Sequence, residues 1–123
     1  MRTDEWKGMA SCPTAAKRED ARPVMVWHIF QGAMISDTYH AKDNRFNVYW
    51  RDLPREWHNP RVHAPTAADA DSLHCLPVID RQGTLRMAGL HQAQDGNIRL
   101  WSACPEPPPD ARRLSEEATR RKI

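Results

Sequence analysis

The clearest hydrophobic run is Val24-Met-Val-Trp-His-Ile-Phe30. It is β-branched and aromatic, and apolar at both parities, which predicts a strand covered on both faces in the middle of a sheet. His28 shares its parity with Val24, Val26 and Phe30, a position that suits a hydrogen-bonded core imidazole better than a ligand. Gln31-Gly32 permits a turn or bulge, and Met34 to His40 follows as a weakly patterned second strand. Ala41-Lys42-Asp43-Asn44 has turn chemistry. Arg45 to Arg51 then alternates: Phe46, Val48 and Trp50 point one way, and Arg45, Asn47, Tyr49 and Arg51 the other. That pattern predicts a half-buried strand with a polar, partly aromatic outer face.

Residues 52–65 hold three prolines and no period, so they read as a loop. Thr66-Ala-Ala-Asp69 fits a capping box ahead of a short helix over 67–74, with Ala67, Ala70 and Leu73 inward. Leu76 to Asp80 is a strand candidate, Arg81-Gln82-Gly83 a turn and Thr84 to Leu90 a second strand. Gln94-Asp95-Gly96 carries the Asp-Gly hairpin signal, and Asn97 to Ala103 is a third strand with Ile98 and Leu100 inward. Pro105 to Pro109 reads as a stiff spacer. Asp110 is placed to cap a last helix over 111–122, whose narrow stripe of Ala111, Leu114 and Ala118 predicts a solvated helix laced with i,i+4 Arg–Glu pairs.

These elements predict a small α+β domain dominated by antiparallel strands: two three-stranded stretches around a short helix. Residues 1–22 form a flexible arm in this scheme, with docking of Trp6 as its alternative. Residues 23–104 form the domain, and 105–123 the spacer and charged C-terminal helix. Shifting the chain by 51 residues lays Gly32, His40, Trp50 and Pro54 on Gly83, His91, Trp101 and Pro105. Strand parity opposes a repeat, because Trp50 shares its face with Phe46 and Val48 whereas Trp101 opposes Ile98 and Leu100. Asp95 to Trp101, with Gly83 to Gly89 before it, resembles the closing strands of a WD-repeat blade. A propeller needs at least four blades of about 40 residues, more than this chain holds, so the likeness is one of hairpin grammar.

Composition narrows the function classes. The 123 residues include 18 basic and 16 acidic side chains, a net charge of +2. Residues 23–109 carry eight basic and nine acidic groups, so the body is near neutral and neither bulk attraction to nucleic acid nor mimicry of it follows. Cys12, Cys75 and Cys104 are odd in number and widely spaced, which points to a reducing compartment, with a Cys75–Cys104 bridge left open. Residues 1–20 hold no apolar run of the kind a secretory leader needs, and the seven residues of Val24–Phe30 are too few to span a bilayer. A cytoplasmic protein is expected.

The five glycines form no phosphate-loop or dinucleotide motif, and no GxSxG, HExxH or calcium-loop pattern is present. Three constellations remain. Arg45, Tyr49, Arg51, Arg55 and Trp57 combine arginine with aromatic rings on one strand face and the loop after it, the chemistry of protein interfaces and of single-strand nucleic-acid platforms. His58, His63, His74 and Cys75 offer zinc-type donors at a spacing far from the familiar paired signatures. Asp69 and Asp71, two apart on a short helix, diverge and form no acid–base dyad. The expectation is a non-enzymatic binding protein, an accessory or inhibitor that meets a protein or nucleoprotein partner through Arg45, Tyr49, Arg51, Arg55 and Trp57 without a cofactor. The alternatives are a zinc-dependent hydrolase or nuclease built on the His/Cys set, and a single-stranded nucleic-acid binder.

Overall fold

The computed structural model describes residues 5–95 and 97–121. It contains two antiparallel sheets, of four and three strands, and the α+β class with antiparallel strands predominating holds. The chain gathers into two compact units, one made of residues up to Leu53 and from Pro107 onward, the other of Pro54–Glu106.

The first unit contains β1 (Lys7–Gly8), β2 (Pro23–His28), β3 (Gly32–Asp37) and β4 (Asn47–Arg51), in the order β1-β4-β2-β3. β2 is interior, as its two-faced apolar pattern predicts: Val24, Met25 and Val26 are all buried. Each such side chain contributes about 1.5–3 kcal/mol by leaving water. Gly32 takes the turn into β3 with φ +79°, a conformation side-chain-bearing residues rarely adopt. β3 ends earlier than expected because the Asp37 carboxylate accepts from the backbone N–H of Tyr39 and His40, which bends the chain away.

Of the stretch expected to be a flexible arm, residues 1–4 lie outside the described residues. From Glu5 on it joins the unit. Lys7-Gly8 pair with Trp50 and Tyr49 at the edge of β4, and Cys12 enters the core of Val24, Val26, Ala41 and Trp50. Trp6, Met9 and Cys12 are the arm's apolar side chains at a spacing of three, so it needs few of them to dock. Burial pushes the Cys12 thiol above its usual range.

β4 departs from the simple alternation. Trp27 pairs with Tyr49 but His28 pairs with Asn47, so Val48 is an extra, bulged residue. Trp50 is buried as expected, whereas Phe46 and Val48 are only half-buried. The bulge puts Asn47 on the Trp50 side instead, where its Nδ2 donates to the Ala41 carbonyl at 3.0 Å.

The second unit contains β5 (Cys75–Asp80), β6 (Leu85–Gly89), α1 (Leu90–Gln94) and β7 (Ile98–Trp101), with sheet order β6-β5-β7. Its core is Leu76, Val78, Ala88, Ala93, Ile98 and Trp101. The Asp-Gly signal at Asp95-Gly96 makes no direct hairpin; the short helix α1 precedes it, and Gly96 lies outside the described residues. The helix expected over 67–74 shrinks to one 3-10 turn, Ala67–Asp69. Its capping interaction forms, the Asp69 carboxylate accepting from the Thr66 N–H at 2.9 Å. The helix stops because Asp71 Oδ1 accepts from the N–H groups of Leu73 and Cys75 and competes with helical bonding. Leu73, expected inward, is exposed.

The 51-residue shift has a structural counterpart. Val26 pairs with Trp50 and Val78 with Trp101; Trp27 pairs with Tyr49 and Ile79 with Leu100; the next pairs are His28–Asn47 and Asp80–Ile98. Each closing strand therefore has one bulged residue at the same place, Val48 in one and Arg99 in the other. The bulges remove the parity objection, since Ile98 and Trp101 share a core despite their odd spacing. Gly32 and Gly83 both turn with positive φ, and a buried alanine, Ala41 or Ala93, follows the second strand of each.

The C-terminal helix α2 spans Ala111–Arg121, with Lys122 of its expected range outside the described residues. It buries no residue and carries the Arg112–Glu116 and Arg113–Glu117 pairs, as a solvated helix should. No helix among the described residues is long and apolar enough to cross a membrane.

Candidate interaction surface

Direct pairing places Trp27 opposite Tyr49 and Met25 opposite Arg51, so these four side chains share the sheet face away from Trp50. Trp6 sets its edge against Trp27, with centroids 5.7 Å apart and planes at 73°. The Arg51 guanidinium lies 5.2 Å from the Trp6 ring centroid, within cation–π range. Trp27, Trp6 and Arg51 therefore form a continuous run on one face of the first unit. All three are half-buried. The Trp27 ring lies over Gly32, where an added Cβ would sit 3.5 Å from Cη2. Its indole N–H is buried and finds no acceptor among the described residues, a cost of about 1–3 kcal/mol.

Tyr49, expected to look outward to water, is half-buried and already engaged. Its hydroxyl donates to Asp110 Oδ2 at 2.8 Å, and Arg113 donates to the same oxygen at 3.3 Å. The hydrogen bond to Asp110, then burial, pushes the Tyr49 hydroxyl above its usual range. Tyr49 thus tethers the start of α2 to β4.

The remaining arginine–aromatic candidates lie elsewhere. Arg45 precedes β4 and is exposed, its guanidinium 4.9 Å from the Phe46 ring. Phe46 in turn meets Phe30 at 5.5 Å and His28 at 5.6 Å. His28 Nδ1 accepts from the backbone N–H of Phe30 and Gln31, the hydrogen-bonded role expected of it. Burial holds its imidazole below the ordinary histidine range. Arg55 and Trp57 belong to the second unit; Arg55 is exposed, and Trp57 is half-buried with Nε1 donating to the Pro54 carbonyl at 3.0 Å. Three of the five residues thus fall in one unit and two in the other.

The His/Cys set is likewise divided. His58 and His63 flank the Trp101 ring at 4.7 and 5.7 Å. His58 exchanges backbone hydrogen bonds with Trp101, and Trp101 Nε1 donates to the His63 carbonyl at 2.8 Å. These histidines wall in the buried tryptophan. His74 is exposed in a left-handed conformation with φ 60°, and the neighbouring Cys75 thiol is pushed up by burial, then by Asp71. Among the described residues, no three His, Cys, Asp or Glu side chains are placed to hold one metal ion. None of the three cysteines is disulfide-bonded, so Cys75 and Cys104 are not bridged. Asp69 and Asp71 are taken up in backbone capping.

Pattern reasoning missed Trp27, read only as part of an apolar strand, and left Trp6 as a secondary option. The signal for Trp27 was its parity, opposite to that of Val24 and Val26. The arrangement can stack, donate hydrogen bonds and bury apolar area. Comparison with known proteins found no matching family model, no matching curated protein and no matching solved structure.

Proposed function

We propose that this chain is a non-enzymatic interaction protein that meets a protein partner through the Trp6, Trp27 and Arg51 face of its first unit. The observation that carries the reading is the Arg51–Trp6–Trp27 run, half-exposed and rigidly backed by β2 and β4. Tryptophan and arginine are among the side chains that most often dominate interface energy: tryptophan buries a large area with two rotors, and the planar guanidinium stacks and donates several hydrogen bonds. The near-neutral body favours a protein over a polyanion. Tyr49 lies on the same sheet face but is engaged as the anchor of α2, and Arg55 and Trp57 are left out of the proposed surface.

The test is affinity capture on the intact chain followed by the same capture with Trp6→Ala/Arg51→Ala and, separately, with Trp57→Ala. The double substitution is expected to abolish the interaction while circular dichroism stays unchanged, and Trp57→Ala to leave it intact. Capture that survives the double substitution refutes this face. Binding to a labelled oligonucleotide that weakens steeply with added salt would replace the protein partner with nucleic acid.

A further inference from the structure

In the second unit, Asn59, Pro60, Arg61, Arg81, Ile98 and Arg99 line a hollow of about 270 Å³. Three of these six side chains are arginines, and none is acidic. We propose that this hollow binds a phosphate-class oxyanion carried by a small molecule, with Arg61, Arg81 and Arg99 as its ligands. It lies in the unit that does not carry the Trp6–Arg51 face, and its test is independent of that reading.

Each arginine is delivered by a distinct backbone device. Arg99 is the bulged residue of β7, the extra one between the Ile79–Leu100 and Asp80–Ile98 pairs. Bulges re-aim a side chain out of the ladder. Its Nη2 donates to the Arg81 carbonyl at 3.2 Å, which ties the guanidinium to the turn. Arg81 sits in the β5–β6 turn, which is held by Asp80: the carboxylate accepts from the N–H groups of Gln82 and Thr84 and from Arg86 Nε. Those bonds commit the Asp80 charge to the turn. Arg61 follows Asn59, whose side-chain oxygen accepts from the Arg61 N–H at 2.9 Å while its carbonyl accepts from Val62 and His63. That turn is fastened in its own right, since His58 and His63 both bond Trp101.

The fold does not require cations here. The first unit builds the same bulge with Val48, and its corresponding turn is occupied by Ile29 and Phe30. Three arginines line this one hollow with no acidic side chain among its lining residues, a charge arrangement that attracts an anion. Planar guanidinium pairs bidentately with phosphate oxygens. The hollow lies below the roughly 300–1,000 Å³ of sites for drug-sized ligands, which favours a compact group. No aromatic side chain lines it, so it offers no stacking platform for single-stranded nucleic acid.

Inorganic phosphate and pyrophosphate titrated into the nitrogen-labelled full chain, with the arginine Nε–Hε signals followed by NMR, test the site. Saturable shifts are expected at Arg61, Arg81 and Arg99 together. Affinity is expected to fall at least about tenfold in Arg99→Gln and in Arg61→Gln, and to be unchanged in Arg112→Gln, an exposed position on α2. Saturation by phosphate assigns the free ion, and saturation by pyrophosphate alone assigns a phosphorylated small molecule. Arg99→Val, which copies the Val48 bulge, replaces Arg99→Gln should the latter fail to fold. Shifts that stay linear in concentration, or spread evenly over all arginines, overturn the site. So do shifts caused by a short oligothymidylate when neither phosphate nor pyrophosphate causes any.

Discussion

The sheet of β2, β3 and β4 and the sheet of β5, β6 and β7 share one plan and differ at one corner. In both, the first strand pairs with the other two, the closing strand brings a tryptophan opposite a valine, and a single bulge lies two pairs further on. Beyond the bulge the first unit places His28, Phe30 and Phe46 in mutual ring contact. The second places Asp80 and Arg81 there, beside Arg99 at the bulge itself. The same turn is held by an imidazole in one case and a carboxylate in the other, each accepting backbone N–H groups. The shared geometry is what the backbone requires. The difference therefore marks where side chains were free to serve something other than folding, and in the second unit they are cationic.

The largest way to break the comparison is to remove its shared element. Trp101→Ala and Trp50→Ala should each cost about 3–5 kcal/mol, measured by urea unfolding. Trp101 is expected at the upper end, because it is 1% exposed against 5% for Trp50 and its indole N–H bonds the His63 carbonyl. Equal small losses would mean that the tryptophans do not anchor equivalent cores.

Acid separates the units with a smaller effect. Histidine ordinarily titrates near 6.5 and His28 is held below that, so its folded form binds fewer protons than the unfolded one. Its contribution is complete above about pH 6.5 and is lost as pH falls below it. Asp80 is held below its ordinary 3.8, chiefly by the Thr84 N–H, so its contribution persists above that value and fades only in stronger acid. Resonances of β2 and β4 should therefore report a destabilisation that sets in as pH falls below 6.5, and the part due to Asp80 in β5 should appear only in stronger acid. His28→Asn, which cannot acquire that charge, should remove the difference, and persistence of the difference in that variant would clear His28 of the effect.

The smallest expected effect concerns the tie between α2 and the sheet of the first unit, the Tyr49–Asp110 hydrogen bond. Tyr49→Phe deletes the bond to Asp110 and should cost about 1 kcal/mol. It should also speed tryptic cleavage after Arg112 and Arg113. Cleavage at the wild-type rate would show that the bond does not hold α2.

Much of this architecture was legible in the order of residues. β2, β5 and their neighbours followed from period-two and two-faced apolar patterns, and α2 from its narrow stripe and i,i+4 pairs. The capping residues Thr66 and Asp69 were read correctly while the helix behind them was not, because Asp71 captures the backbone that helix would need. The candidate surface was half legible. Arg51 stood out as a basic residue on an aromatic strand, but a stretch as polar as the arm gave little sign that Trp6 would stack over the sheet.

Local pattern alone determined which segments became strands, since alternation and β-branching act within a few residues. Tertiary structure decided the register, and with it the two bulges. A bulge arises only when a strand is matched against its neighbour, and no single strand encodes its partner. That matching turned Val48 from core to flank and swung Arg99 out beside Arg61 and Arg81. It also moved Tyr49 from the solvent to Asp110, 61 positions away in the chain.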